Sequence, residues 1–387
     1  MISKSFEALK GYIEAENYCG WDPFDGLNSR LFNNIPLLNK SKLARLLLIQ
    51  FFKRSHINFR RIAFVEKGYN PKGLALFLSA YCTLYKQAPT GDTLDRIVYL
   101  ADKIIEMRSV GWSGSCWGYN FDWQARAFFQ PKYTPTVVAT TYAARALLDA
   151  YDITKKDEYL EIALSSKDFI LKDLNRTCDK NGNFCFSYSP LDHTQVINAS
   201  LLGAQLISRI YLYTKEAKLH EIATKAITFC VLHQDINGSW TYGTLPYHNW
   251  VDSFHTGFNI ESISEYQKAF NDSRFQDAID RGLNYYIANF FTDIGQSKYT
   301  DKDLYPIDIH STAQLVLTLS SVNKLDEVED LVIRVMTHTI QNMQDKRGFF
   351  YYQCKKRIKN RIPYMRWAQA WMFYALAVYL VKGDMNT

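Results

Sequence analysis

Six stretches of this chain share one pattern, and their spacing restricts the fold more than any other feature. Each is a helix-length run of small and apolar residues opened by a capping or chain-breaking residue. They begin at Asn70, Thr134, His193, His255, His310 and Arg366, which are 64, 59, 62, 55 and 56 residues apart. Self-similarity at so regular a period is the signature of a repeat architecture. Between these runs lie more polar segments, such as DTLDRIVYLADKIIEM and SRFQDAIDRGLNYYIANFF. Their apolar residues recur at three and four, with charges on the opposite face. Asp92, Asp157, Asp272 and Asp326 stand near the starts of the polar segments. There a short anionic side chain satisfies free N–H groups.

The unit is therefore a polar outer helix, a loop and an apolar inner helix buried on both sides. The loops DKNGNFCFSY, QDINGSWTYG and QDKRGFFYY pair a glycine turn with alternating aromatics, which predicts short β-hairpins. Six such units closed in a ring make an all-α fold, an (α/α)6 toroid with hairpins in the loops of one face. An open superhelix of helical hairpins is the competing architecture. Its period is shorter, about 34–47 residues, and its loops are tighter. The helix near Lys42–Arg54 is expected to be the first outer member. Residues 1–40 are then an N-terminal extension and 41–387 a single toroid domain.

Composition narrows the class. Aromatic residues reach 15%, which needs a large core or an aromatic-lined cleft. The net charge of +6 is too mild for a dedicated nucleic-acid binder, so no nucleic-acid partner is expected. Basic residues do gather between Lys40 and Lys67, a surface suited to anionic glycans or peripheral contact with lipid headgroups. The seven cysteines are odd in number and scattered, which favours a reducing compartment. With no apolar leader at the N-terminus, the expected location is the cytoplasm.

The repeat register supplies the candidate site. His193, His255 and His310 open three inner helices and Arg366 opens the last, so they are expected to converge at the ring mouth. Asp122 and Asp252 lie in the loops just upstream. Asn198, Asn259, Glu261 and Gln314 follow one turn or more into the apolar helices, where buried polar groups need partners or a wet cavity. Tyr119, Trp123, Tyr188, Trp240, Trp250 and Tyr364 line the same loops. Aromatic faces beside amides and acids are what a sugar ring requires. Arg126 and Arg366 could grip a carboxylate or phosphate. GxGxxG, P-loop and HExxH motifs are absent, and no second Cys stands next to a His to complete a zinc site around Cys116, so neither a cofactor nor a metal is expected.

The segments GWDPFDGLNS, KGYNPKGLALFLSAY, WGYNFDWQARAFFQP, SPLDHTQV, WVDSFHTGFNIES and IPYMRWAQAWMFYAL resemble a bacterial family of VpsJ-type polysaccharide biosynthesis proteins, over nearly the whole chain. The resemblance implies an α/α toroid protein encoded among exopolysaccharide or O-antigen genes, and it assigns neither a reaction nor catalytic residues. Three activities follow from the residues. The first is an epimerase or lyase that moves a proton beside a sugar carboxylate or carbonyl. His255, His193, Asp252, Tyr119 and Arg366 would be its catalytic set. The second is a glycoside hydrolase using Asp122 with Asp252 or Asp192. The third is a non-catalytic glycan-binding assembly protein.

Overall fold

The computed structural model describes residues 1–125 and 128–385. Fifteen α-helices occur among them. Five inner helices are α5 (Pro71–Gln87), α7 (Val137–Thr154), α9 (Ile197–Thr214), α11 (Ser253–Phe270) and α13 (Ile309–Ser321). The sixth is α15 (Trp371–Met385), preceded by a π-helical stretch at Met365–Ala370. Each inner helix packs on the next, and α15 packs back on α5, which closes the ring. Their residues are buried nearly all round, as small and apolar composition demands. The fold is an (α/α)6 toroid.

The outer layer comprises α6 (Gly91–Glu106), α8 (Asp157–Asp168), α10 (Ala217–Leu232), α12 (Gln276–Phe290) and α14 (Glu329–Met343), each against an inner partner. The sixth outer helix is α1 (Ile2–Ala15), which packs on both α14 and α15. A repeated glycine contact shows the equivalence. Gly238, Gly295 and Gly348 all have positive φ, and a Cβ there would lie 2.2 Å from Arg281 O, 2.4 Å from Arg334 O and 2.1 Å from Ala8 O. The turns after α10, α12 and α14 thus press on the backbone of the next outer helix, and after α14 the next is α1.

This corrects the expected outer member. The helix at 42–54, here α4 (Lys42–Arg54), sits instead on the loop face, against the 3₁₀ turn Asp25–Asn28 and strand β1 (Trp123–Gln124). Short helices α2 (Arg30–Asn33) and α3 (Pro36–Lys40) lead into it. The N-terminal forty residues therefore begin in the outer layer of the toroid and end on its loop face. Amphipathicity is common to α1 and α4, so the pattern alone could not choose between them.

The hairpins are fewer than expected. β1 pairs with β2 (Phe129–Gln130), and β3 (Arg176–Cys178) with β4 (Phe184–Phe186) around the Asn181-Gly182 turn. QDINGSW and QDKRGFF close as tight turns instead, with Asp235 N donating to Ser239 O and Asp345 N to Phe349 O, both without a full ladder. A three-stranded sheet, β5 (Ile307–Asp308), β6 (Gln353–Cys354) and β7 (Lys359–Asn360), completes the loop face. No helix among the described residues is long and apolar enough to cross a membrane.

Candidate active site

Counting from each helix cap defines what meets at the ring mouth. Asn70, Thr136, Asp252 and Asp308 cap α5, α7, α11 and α13 through their side chains. The second helical positions are then Lys72, Val138, Asn198, Phe254 and His310, and Arg366 in the last unit. His255 stands one position deeper, at the third.

His255 and Asp252 form the best-organised acid–base pair. Asp252 caps α11 by accepting the His255 N–H at 3.0 Å, and its other oxygen lies 2.7 Å from His255 Nδ1. That same oxygen accepts the Trp250 indole N–H at 3.0 Å. The carboxylate is fully buried, whereas the imidazole keeps 22% of its surface. Asp252 thus holds the ring from one edge, and the other edge reaches solvent. Beside it, Trp250 stacks on Tyr242 with centroids 4.4 Å apart and planes 15° off parallel. Tyr242 also touches the imidazole, at 4.8 Å.

His310 is a different kind of histidine. It is sandwiched between Phe254, at 4.4 Å and 2°, and Trp371, at 4.2 Å and 29°. Neither ring nitrogen has a hydrogen-bond partner among the described residues. Burial, with the charges of Lys72, His255 and Arg366 nearby, pushes it well below the usual histidine range, so it is neutral. Phe254 and Phe258 pack on both histidines and hold them in one cluster. Below Asp308, which caps α13, Trp367 and Gln353 donate to its carboxylate at 3.2 and 2.6 Å. Burial raises that carboxyl to about 6.

The residue that composition and motif reading passed over is Lys72. It is 4% exposed, and its ammonium lies 4.3 Å from the Tyr142 centroid, 5.0 Å from Trp371 and 5.1 Å from Phe258. Among the described residues no carboxylate lies within ion-pair distance of it. Burial, and then the positive charge of Arg366, push it well below the ordinary lysine range. A lysine inside an apolar inner helix, in the register of His310 and Arg366, was the available signal. Deeper along the axis, Glu261 accepts from Gln314 at 3.2 Å and from Arg145 and Gln205 at 3.4 Å. Buried oxygens of Asn198, Asn259 and Gln314 have no partner among the described residues.

Several expected residues stand elsewhere or are already engaged. Arg366 is buried and bidentate to Asp22, with Nε–Oδ2 of 2.6 Å and Nη2–Oδ1 of 2.8 Å. Its charge is neutralised by the N-terminal segment and leaves no free fork for a ligand. Its guanidinium also covers the Tyr119 ring at 5.2 Å, and the Tyr119 hydroxyl sits 3.4 Å from that of Tyr188. Trp123 packs against Tyr188. His193 is exposed, three residues before the Val196 cap of α9, because residues 193–196 run outside the helix and Val196 bridges Gly243. Asn198 takes the register position instead.

Trp240 is buried in the wall, its indole donating to Cys230 O at 3.1 Å beside Gly282. Tyr364 belongs to a separate apolar cluster and accepts from Arg60 at 3.0 Å. Asp122 accepts the Lys132 N–H at 2.7 Å, within its own loop. Asp192 takes five hydrogen bonds from Tyr188, Ser189 and Thr194, a loop clasp with no free oxygen. Arg126 lies outside the described residues. Over the mouth, α4 brings Lys53, whose charge faces Asp308 and Asp252 and whose ammonium lies 4.8 Å from the Phe24 ring. No cluster of three His, Cys, Asp or Glu suited to a metal occurs among the described residues.

No family model matches the chain, and no curated protein does. Solved structures do. Cellobiose 2-epimerase from Bacillus thermoamylovorans is similar with a TM-score of 0.65 at 12% identity, over 81% of this chain and 88% of that one. The GH76 α-mannanase BT2949 of Bacteroides thetaiotaomicron gives 0.60 at 14%, over 82% and 87%. An unsaturated glucuronyl hydrolase specific for heparin gives 0.60 at 9%, over 82% and 87%. At such identities the likeness establishes the toroid, and the chemistry rests on the residues above.

Proposed function

We propose that this chain is a carbohydrate-active enzyme of bacterial surface polysaccharide biosynthesis, an epimerase or lyase that moves a proton at the sugar carbon beside a carbonyl or carboxylate. The observation that carries this reading is the His255 imidazole, held on one edge by buried Asp252 and open to solvent on the other. Asp252 fixes the proton on Nδ1, leaving Nε2 as the base that takes the carbon-bound proton. The Tyr242–Trp250 stack offers a flat apolar face for the sugar's C–H side. Lys72, rather than Arg366, is the basic group without an acid among the described residues, and once protonated beside a bound anion it is the group that meets charge developing on the enolate oxygen. Neutral His310, whose ring nitrogens have no partner among the described residues, can donate its one N–H to a substrate oxygen but carries no proton to return as an acid. The resemblance of several segments to VpsJ-type proteins and the sugar-acting proteins of similar fold support a glycan substrate. Hydrolysis by Asp122 with Asp252 or Asp192 has less support, because Asp192 is saturated by its own loop.

The test is solvent hydrogen exchange. Incubated in deuterium oxide with a panel of reducing and uronic sugars, the protein should place deuterium at one carbon of its substrate, read by NMR. New reducing ends without deuterium incorporation would replace this reading with hydrolysis.

A further inference from the structure

Ten of the twenty-five exposed large hydrophobic side chains among the described residues fall between Leu31 and Phe64. Leu37 is 88% exposed, Ile62 70% and Leu43 66%. On α4 the exposed Leu43, Leu47 and Phe51 recur every four residues and make one stripe, while Ile49 and Phe52 on the opposite face are buried. The stripe is therefore an unpartnered face of a helix whose other face is already docked.

The charge around it is of one sign. From Leu31 to Val65 the chain contains no acidic residue. Lys40, Lys42, Arg54 and Arg61 are exposed, and none of them has an acidic partner among the described ion pairs. A second copy of the chain, docking the same patch by a twofold axis, would bring these cations against each other. An anionic lipid surface meets both properties at once, since it takes apolar side chains into its interface and holds cations at its headgroups.

We infer that the face formed by residues 31–64 docks on an anionic bilayer. The same segment lies beside the ring mouth, because α4 packs on Asp25–Asn28 and β1 and carries Lys53 toward Asp308 and Asp252. Docking in this way sets the opening at the lipid surface, where a lipid-linked glycan is presented. The docking itself does not depend on which reaction the site performs.

The test is flotation of the full chain with vesicles of phosphatidylcholine, with and without phosphatidylglycerol, at low and high salt. The chain is expected to float with the anionic vesicles and to be released by salt. Leu43→Ser/Leu47→Ser/Phe51→Ser changes exposed residues only. It should keep the helical circular dichroism and melting profile of the parent and bind at least tenfold more weakly. Lys40→Gln/Lys42→Gln/Arg54→Gln/Arg61→Gln should erase the preference for anionic vesicles. The inference is overturned if the parent stays in the aqueous fraction with both vesicle types. It is equally overturned if light scattering finds a dimer that the triple serine variant dissociates while vesicle binding is absent.

Discussion

His255 Nδ1 lies 2.7 Å from Asp252 Oδ2, and both residues belong to the opening of one helix. A single acid caps α11 and orients the imidazole beside it, so the two roles separate by mutation. Asp252→Asn keeps an oxygen to cap the helix, yet no longer fixes the proton on Nδ1. It should fold normally and lose proton exchange. His255→Gln should lower exchange by roughly 10²–10⁴ with sugar binding retained. Equal exchange rates in parent and His255→Gln would remove this histidine from the chemistry.

Lys72 is buried without an acid, so its cost falls on the fold and its use on the ligand. Lys72→Met should raise the thermal midpoint of the free protein, because an apolar chain of similar length replaces a buried amine. The same variant should lose affinity for an acidic sugar while keeping that for its neutral counterpart. A bound carboxylate would raise the depressed ammonium toward the normal range. Binding then takes up a proton, and calorimetry should find affinity for the acidic sugar falling as pH rises.

Arg366 and Asp22 tie the last inner unit to the N-terminal loop, each side chain 6% exposed. Removing one partner leaves an uncompensated buried charge. Arg366→Met or Asp22→Leu alone should cost about 3–5 kcal/mol in chemical denaturation, and the double replacement much less than the two costs added. Additive costs would show that the pair is not coupled.

Asp308 gives the fold a pH signature. Its folded value of about 6 lies above the ordinary aspartate value, since burial disfavours the charged form. The protonated form is bound more tightly in the folded state. Its stabilising contribution is therefore full below about pH 4 and is lost as pH rises through about 6. Asp308→Asn can still cap α13. It should flatten the stability profile between those values and stabilise the protein at pH 7, by at most about 3 kcal/mol. A profile unchanged by this variant would place the titration elsewhere.

Gly348, at φ +102°, presses against Ala8 where α14 hands over to α1. Gly348→Ala should cost more than about 1 kcal/mol from the backbone alone, and more from the 2.1 Å approach to Ala8 O. Loss of protection from hydrogen exchange should begin in α1, the element closing the outer layer.

The ring itself was legible in the residues. Inner helices buried all round and outer helices with one apolar stripe need different compositions, and that contrast repeats six times. His255 with Asp252 was legible too, because a cap and the third helical position are neighbours in sequence. The partners of Arg366 and Lys72 were not. Asp22 lies 344 positions from Arg366, and only closure of the ring brings an N-terminal loop to the last inner helix. The register of Lys72 was readable in its apolar helix, but only the tertiary structure surrounded it with aromatic rings from three other helices and, among the described residues, no carboxylate. The choice of α1 over α4 as sixth outer helix was likewise a matter of packing. Both are amphipathic, and which one fills the gap between α14 and α15 depends on the shape of that gap, not on either helix's own pattern. Local periodicity specifies elements and their faces, whereas charge compensation is a property of contacts between distant segments.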